Sequence, residues 1–298
     1  MKYNHLGKSK LEVSEIGFGC MSLGPDMAES GRLLRLAFEQ GINYFDTADL
    51  YDRGQNETAV GRGLRGVRQQ VVIASKVGNQ WRPDGSGWDW NPRKAYILEA
   101  AEQSLRRLQT DYLDLYQLHG GTLDDPIDEV IEAFELLQQQ GKIRYYGISS
   151  IRPNVIRAYA ARSQAVSVMM QYSLLDRRPE ETCLPLLEQH QISVLARGSY
   201  AQGLLLGKAA KSYLGHSAEQ VARAAGAVRN VAGTRNTAAG VAARFVLHPP
   251  AVASAVIGIR TAAHLREALA ASQAPALTAE ELETLRQAVP ALPYEQHR

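Results

Sequence analysis

The sequence predicts an α/β fold, a closed (β/α)₈ TIM barrel with an N-terminal β-hairpin and a C-terminal helix, as one domain over residues 1–298. Short β-branched or apolar runs alternate with amphipathic helical patterns, which is typical of a parallel sheet built from βα units. Eight such runs occur, the number that closes a barrel in a chain of this length. No G-x-G-x-x-G follows the first run, so the phosphate-binding motif of a Rossmann fold is missing.

The predicted strands cover residues 16–21, 43–46, 71–75, 113–118, 145–149, 168–171, 193–196 and 253–256. Helical patterns with apolar residues three and four positions apart lie at 32–40, 93–108, 127–140, 155–162 and 238–247. Pro126 and Pro153 suit helix starts, and Gly41 and Gly141 suit helix ends.

One long connection, residues 203–240, is predicted to be a loop with one or two short helices. We assign no ligand role to residues 215–237 of this connection. From Thr278 onward, the pattern predicts a final helix packed across the barrel.

Composition and charge narrow the classes of ligand. The formal net charge is +2, with acidic and basic residues interspersed, so we expect neither a nucleic acid nor a membrane partner. Residues 1–20 lack the apolar core of a signal peptide, and no run of about 20 apolar residues occurs. Cys20 and Cys183 are far apart and show no metal-ligand spacing. We therefore expect a cytoplasmic protein with reduced cysteines, no metal site and a small-molecule ligand.

Four polar residues lie at or just beyond the ends of predicted strands two, three and four. Asp46 closes one strand and Tyr51 follows it by five residues, while Lys76 and His119 follow the next two strands. Barrel enzymes build their sites where such strand ends meet. Each residue alone is more often a cap, a turn residue, a solvated strand end or a packed side chain. Their convergence on one rim favours a catalytic site.

Together the four residues suit the delivery of a proton to a carbonyl oxygen. The Lys76 ammonium would stabilise a tyrosinate at Tyr51, and Asp46 would compensate the burial of Lys76. His119 would donate a hydrogen bond to the oxygen as negative charge develops. Such a group protonates an alkoxide, and the hydride that forms the alkoxide requires a nicotinamide or flavin cofactor.

The chain resembles the aldo-keto reductase family over nearly its whole length. The motifs that carry the resemblance are, in order, L-G-K-S-K-L-E-V-S-E-I-G-F-G-C-M, G-I-N-Y-F-D-T-A-D-L-Y, I-A-S-K-V-G, D-Y-L-D-L-Y-Q-L-H, G-K-I-R-Y-Y-G-I-S-S and V-I-G-I-R-T. The resemblance implies an NADPH-dependent reductase of small aldehydes and ketones. It also implies that Tyr51 is the general acid, that Lys76 and Asp46 tune it, and that His119 orients the substrate carbonyl.

The same resemblance implies an NADPH molecule that lies extended across the barrel mouth. Ser149 and Gln171 would hold the nicotinamide carboxamide, Tyr172 would stack on the ring, and Arg260 would suit the 2′-phosphate. The residues alone leave two alternatives open: Tyr172 packs in the core, and Arg260 is a solvated residue at a helix start. The other implied cofactor contacts are Met21, Asp46, Tyr200, Gln202, Gly203, Leu204, Leu205, Lys208, Gly258, His264 and Glu267. The chain departs from the family pattern at Ser150 and Ala268, where asparagine is usual, and at His264, where glutamine or arginine is usual.

All three tryptophans, Trp81, Trp88 and Trp90, fall in residues 77–92, a segment rich in turn residues. We expect this segment to project as a loop from the catalytic rim, with its tryptophans walling a substrate pocket. The alternative is that some of them pack the loop against the barrel.

An alternative function is a regulatory barrel subunit that binds NADPH with negligible turnover, like those attached to potassium channels. The sequence shows no extension or exposed apolar run that would serve such docking.

Overall fold

The computed structural model describes residues 1–234 and 236–298, and over these residues the chain forms twelve β-strands and ten α-helices. The strands are β1 (Tyr3–His5), β2 (Glu12–Ser14), β3 (Ile16–Gly19), β4 (Tyr44–Asp46), β5 (Val72–Val77), β6 (Asn79–Trp81), β7 (Trp88–Trp90), β8 (Leu113–Leu118), β9 (Ile143–Ser149), β10 (Ser167–Gln171), β11 (Ser193–Arg197) and β12 (Val252–Gly258). The helices are α1 (Met27–Glu39), α2 (Gln55–Leu64), α3 (Lys94–Leu108), α4 (Ile127–Gln139), α5 (Pro153–Arg162), α6 (Cys183–Gln189), α7 (Ala218–Ala232), α8 (Ala238–Val246), α9 (Ala262–Gln273) and α10 (Ala279–Ala288).

Eight parallel strands close into a barrel in the order β3, β4, β5, β8, β9, β10, β11, β12, and β12 pairs back onto β3. The predicted fold class is confirmed. β5 runs on to Val77, beyond the predicted end of that strand, so Lys76 belongs to the strand itself. Since all eight strands are parallel, their carboxyl ends lie on one face of the barrel.

The barrel interior is filled by apolar side chains and is closed at one end by the β1–β2 hairpin. Leu6, Leu11 and Val13 from the hairpin region form one buried cluster with strand residues such as Tyr44 and Leu115. The outward-facing strand residues pack against the apolar faces of the surrounding helices in a second, larger cluster. This two-layer core leaves the carboxyl-terminal face open for a site.

The long connection is more ordered than the sequence predicts. A 3₁₀ helix at Ala201–Leu206 leads into it, and it contains the 15-residue helix α7. Ser217 and Gln220 form a capping box at the start of α7, and small apolar residues such as Val221 and Ala225 recur on its buried face. The start signal and the spacing together explain a regular helix in an alanine-rich stretch. Arg235, which falls in this connection, lies outside the described residues.

The final helix, α10, begins after Thr278 and packs on α7, on the outside of the barrel. Thr278 and Glu281 form its capping box. Throughout residues 1–234 and 236–298, every helix is too short or too polar to span a bilayer.

Candidate active site

The four residues predicted to act together converge at the carboxyl ends of β4, β5 and β8. The Lys76 ammonium is buried and donates to Asp46 Oδ1 at 2.5 Å and to the Thr47 carbonyl at 2.8 Å. Its third partner is Tyr51 Oη, at 3.3 Å. The Tyr51 and His119 rings lie edge to face, with centroids 5.8 Å apart. One ammonium group therefore connects a buried carboxylate to a tyrosine hydroxyl.

The segment between Asp46 and Tyr51 is fixed by backbone hydrogen bonds to β5. The Thr47 amide donates to the Ala74 carbonyl at 2.9 Å, and the Asp49 amide donates to the Lys76 carbonyl at 3.3 Å. Immediately after Tyr51, Asp52 and Arg53 take left-handed backbone angles, with φ of 47° and 50°. Such strain at a non-glycine pair is typical of functional segments and here turns the chain sharply beside Tyr51.

Lys76 is held in its charged form by its neighbours. Burial by itself would lower the pKa of Lys76, but the Asp46 carboxylate and the Tyr51 hydroxyl raise that pKa above its ordinary value. The other Asp46 oxygen is 3.4 Å from both the Tyr44 hydroxyl and the Gln117 amide nitrogen, which donate to it. Three donors around one buried carboxylate stabilise the ion pair.

His119 is held neutral. Burial, followed by the nearby charges of Lys76 and Arg197, lowers the pKa of His119 to about 3. Its Nδ1 is buried and has no hydrogen-bond partner in the part of the chain that the structure describes. A proton on Nδ1 would have no acceptor, so the proton of the neutral ring belongs on Nε2.

A cavity of about 1320 Å³ opens over these side chains. Tyr51 and His119 line it, and Asp46 is at its floor, while Lys76 lies buried beneath. Further predicted cofactor and substrate residues line the same cavity: Met21, Ser149, Gln171, Tyr200, Gln202, Gly203, Lys208, Gly258, His264, Glu267, Trp88 and Trp90. The structure thus brings most of the predicted site residues to one opening.

The tryptophan segment is a hairpin and not an irregular loop. β6 and β7 pair antiparallel, with Trp81 opposite Trp88. Trp88 is 47% exposed and lines the cavity. Trp90 also lines it, and its Nε1 donates to Asp125 Oδ1 at 2.9 Å. Trp81 lies elsewhere: its Nε1 donates to the Leu50 carbonyl, and the Arg53 guanidinium sits 5.1 Å from its ring.

Comparison with known proteins assigns the family. The sequence model of the Aldo/keto reductase family matches residues 15–290. The chain belongs to the aldo-keto reductase family. It is similar to YqkF, an uncharacterized oxidoreductase of Bacillus subtilis, at 50% identity over 100% of both chains.

Its structure is similar to the holo form of an aldo-keto reductase from Bacillus halodurans, with a TM-score of 0.94 and 50% identity over 100% of this chain and 99% of that one. The apo form of that relative gives a TM-score of 0.86 over the same shares of the two chains. A reductase from Escherichia coli named as an NADH-specific methylglyoxal reductase is 32% identical over 72% of each chain. The protein is an oxidoreductase of this family, and its relatives' names do not fix one cofactor.

Tyr172 does not reach the cavity, so its expected stacking on a nicotinamide ring is withdrawn. It is fully buried on the outer side of the strands, where its ring packs near Phe245. Its hydroxyl donates to Glu180 at 2.8 Å. Successive strand residues point to opposite faces, and Gln171 faces the cavity, so Tyr172 must face away from it.

Three other expected cofactor contacts are also absent from the cavity wall. Leu204 and Leu205 are buried in the apolar core, where they anchor the 3₁₀ helix. Arg260 is exposed just beyond β12, at the start of α9. It has no ion-pair partner among the described residues.

Two residues that sequence reasoning missed flank Gln171. The Arg197 guanidinium donates to Gln171 Oε1, and Gln171 Nε2 donates to the Tyr213 hydroxyl, each at 3.1 Å. Both Arg197 and Tyr213 line the cavity. Arg197 is the last residue of β11, one position beyond the predicted strand, so the strand-end criterion would have found it. Tyr213 lies in the long connection and has no comparable signal.

The residues after β11 form a tight turn that the Lys208 side chain covers. Gln202 and Gly203 both have positive φ, 60° and 88°. The Gly203 amide donates to the Tyr200 carbonyl at 2.8 Å, which holds the turn closed. A Cβ at Gly203 would lie 2.8 Å from the Lys208 side chain, which folds over the turn and donates to the Gln202 carbonyl at 2.8 Å. The Lys208 ammonium, which lines the cavity, suits an anionic group such as a pyrophosphate.

Proposed function

We propose that the protein reduces small aldehydes and ketones to alcohols with NADPH, and that Tyr51 is the general acid. The observation that carries the proposal is the contact of Lys76 Nζ with both Asp46 and the Tyr51 hydroxyl at the floor of the cavity. An ammonium held by a buried carboxylate is placed to stabilise the negative charge that forms on a tyrosine when it gives up its proton.

The proton comes from Tyr51. Its hydroxyl proton passes to the carbonyl oxygen, the carbonyl becomes a hydroxyl, and the negative charge remains on the tyrosinate beside Lys76. Tyr51 is partly exposed to the cavity, so water can return the proton after product leaves. A bound nicotinamide would supply the hydride to the carbonyl carbon.

His119 orients the same oxygen. Its ring is neutral and its Nε2–H is the free donor, so it gives the carbonyl oxygen a hydrogen bond that strengthens as charge develops. A neutral donor does not compete with Tyr51 for the role of acid. The two side chains therefore have separate tasks although their rings are in contact.

Several residues of the cavity wall support the binding of a nicotinamide dinucleotide. Ser149 and Gln171 would hold the carboxamide, and the turn at Gln202 and Gly203 with Lys208 would hold the pyrophosphate. The adenosine end would lie along Gly258, His264 and Glu267.

The preference for NADPH over NADH rests on Arg260. This exposed cation precedes the amino terminus of α9 and has no competing carboxylate among the described residues. A helix amino terminus and an arginine together favour a phosphate dianion.

The test is steady-state NADPH oxidation with a panel of activated aldehydes, paired with calorimetric titration of NADPH. We expect turnover with several aldehydes and saturable binding. Tight binding of NADPH with negligible turnover across the panel would instead support a regulatory subunit. Absence of NADPH binding would refute the proposal.

A further inference from the structure

Residues 212–217 form a tight turn at the cavity mouth. The Tyr213 amide donates to the His216 carbonyl at 3.0 Å, and the His216 amide donates back to the Tyr213 carbonyl at 2.9 Å. Between them, Leu214 and Gly215 both have positive φ, 47° and 87°, as a two-residue hairpin turn requires. The His216 side chain is buried and Leu214 is exposed. The turn therefore presents Tyr213 to the cavity from a rigid support.

Tyr213 and Arg197 together fix the orientation of the Gln171 amide. A guanidinium can only donate hydrogen bonds, so the group facing Arg197 must be the Gln171 oxygen. The Gln171 nitrogen then faces the Tyr213 hydroxyl. One of the two Nε2–H bonds is used by Tyr213, and the other stays available in the cavity. Without Tyr213, the amide would be held at one end only.

The turn is supported from behind by the carboxyl-terminal tail, which we define as residues 289–298. A Cβ at Gly215 would lie 3.0 Å from Leu292 Cδ1, so the Leu292 side chain packs directly on the turn. None of the described tail residues lines the cavity. Any effect of the tail on the cavity must therefore pass through residues such as those of the turn.

The tail itself is anchored at several points. Val289 and Tyr294 are buried. The Tyr294 amide donates to Glu181 at 3.1 Å, and Arg298 forms an ion pair with the same carboxylate. The His297 carbonyl accepts from the Asn154 amide at 2.8 Å, at the start of α5. The tail thus bridges the segment that precedes α6 and the start of α5, and it holds Leu292 at a fixed place between α10 and these anchors.

We propose that Tyr213 is a positioning residue of the cofactor site, and that the carboxyl-terminal tail holds it there through the contact of Leu292 with the turn. Tyr213 keeps the Gln171 amide oriented so that its free N–H meets the carboxamide oxygen of the nicotinamide. This inference rests on the proposed function, because it requires that Gln171 bind a nicotinamide.

The experiment measures the binding of two ligands by calorimetry: NADPH, and 2′-phospho-ADP-ribose, which lacks the nicotinamide. The variants are Tyr213→Phe, which removes only the hydroxyl, and Leu292→Ala, which removes the support of the turn. Glu295→Ala is the matched tail control, because Glu295 is exposed and outside the proposed contact. Gln171→Ala is combined with Tyr213→Phe to test whether the two side chains act as one unit.

We expect Tyr213→Phe to weaken NADPH about tenfold and Leu292→Ala to weaken it about threefold, consistent with the loss or loosening of one hydrogen bond. The fragment should bind all variants equally, Glu295→Ala should match the parent protein, and Tyr213→Phe should have no further effect in the Gln171→Ala background.

Unchanged NADPH affinity in Tyr213→Phe would overturn the positioning role, and so would an equal loss for NADPH and the fragment. If Tyr213→Phe weakens NADPH binding and Leu292→Ala does not, the proposed role of the tail is overturned. If the parent protein binds NADPH no more tightly than the fragment, Gln171 does not hold the nicotinamide and this inference fails, whereas the proposed function fails only if NADPH binding or aldehyde turnover is absent.

Discussion

His119 should remain neutral throughout the physiological pH range, and a pH titration tests this directly. Its pKa falls from an ordinary 6.5 to about 3, because the ring is largely buried and faces Lys76 and Arg197. That difference corresponds to roughly 5 kcal/mol against protonation. Even at pH 5, only about one ring in a hundred would be protonated.

The assay is nitrogen NMR of histidine-labelled protein, with His119→Asn used to assign the resonance among the seven histidines. We expect the His119 signals to show a neutral ring with its proton on Nε2 and no titration between pH 5 and 8. The unfolded chain binds a proton near pH 6.5 that the folded state binds only near 3, so this residue's contribution to stability is lost as the pH falls through that interval. A His119 titration midpoint near 6.5 would refute the reasoning and make an imidazolium available as the acid.

Three further predictions concern a buried carboxyl, the cofactor and the substrate. Burial and the neighbouring Glu57 raise the pKa of Asp49 to about 8, so the folded state holds a proton that the unfolded chain releases near pH 4. As the pH is raised from 4 to 8, the melting temperature of Asp49→Asn should therefore rise relative to that of the parent protein. A difference in melting temperature that does not change with pH would contradict this. Arg260→Ala should weaken NADPH binding roughly tenfold or more and leave NADH binding unchanged, since a charge-assisted contact contributes roughly 1.5–3 kcal/mol. Calorimetry measures both affinities, and an unchanged ratio of NADPH to NADH affinity would assign the 2′-phosphate site to other residues. Trp88→Ala should change kcat/KM ratios among aldehydes of different size, whereas Trp81→Ala, outside the cavity, should not; identical profiles in both variants would remove Trp88 from the substrate wall.

The barrel and the convergence of four polar residues at its rim could be predicted from the sequence, because both depend on local patterns. Apolar runs bounded by turn residues mark the strands, and a polar residue at or beyond the end of such a run must lie at one rim once the strands are parallel. Asp46, Lys76 and His119 follow from this rule, and Tyr51 follows because the segment that carries it is short.

The features that sequence reasoning missed depend on side-chain direction or on distant contacts. Gln171 and Tyr172 cannot both face the cofactor, because successive strand residues point to opposite faces. The Tyr172 ring therefore packs in the core outside the barrel, near Phe245. Tyr213 meets Gln171 from 42 positions away, and no local pattern encodes that contact. Leu292 supports the turn from still farther along the chain.

The measurement that tests the central claim most directly is the turnover of Tyr51→Phe with a good aldehyde substrate, alongside its affinity for NADPH. The substitution removes the proton donor and keeps the ring that contacts His119 and Lys76. We predict that kcat falls by about 100-fold or more, as expected for loss of a general acid, while the Kd for NADPH stays within about twofold of the parent value. Turnover close to the parent rate would contradict the assignment of Tyr51 as the acid.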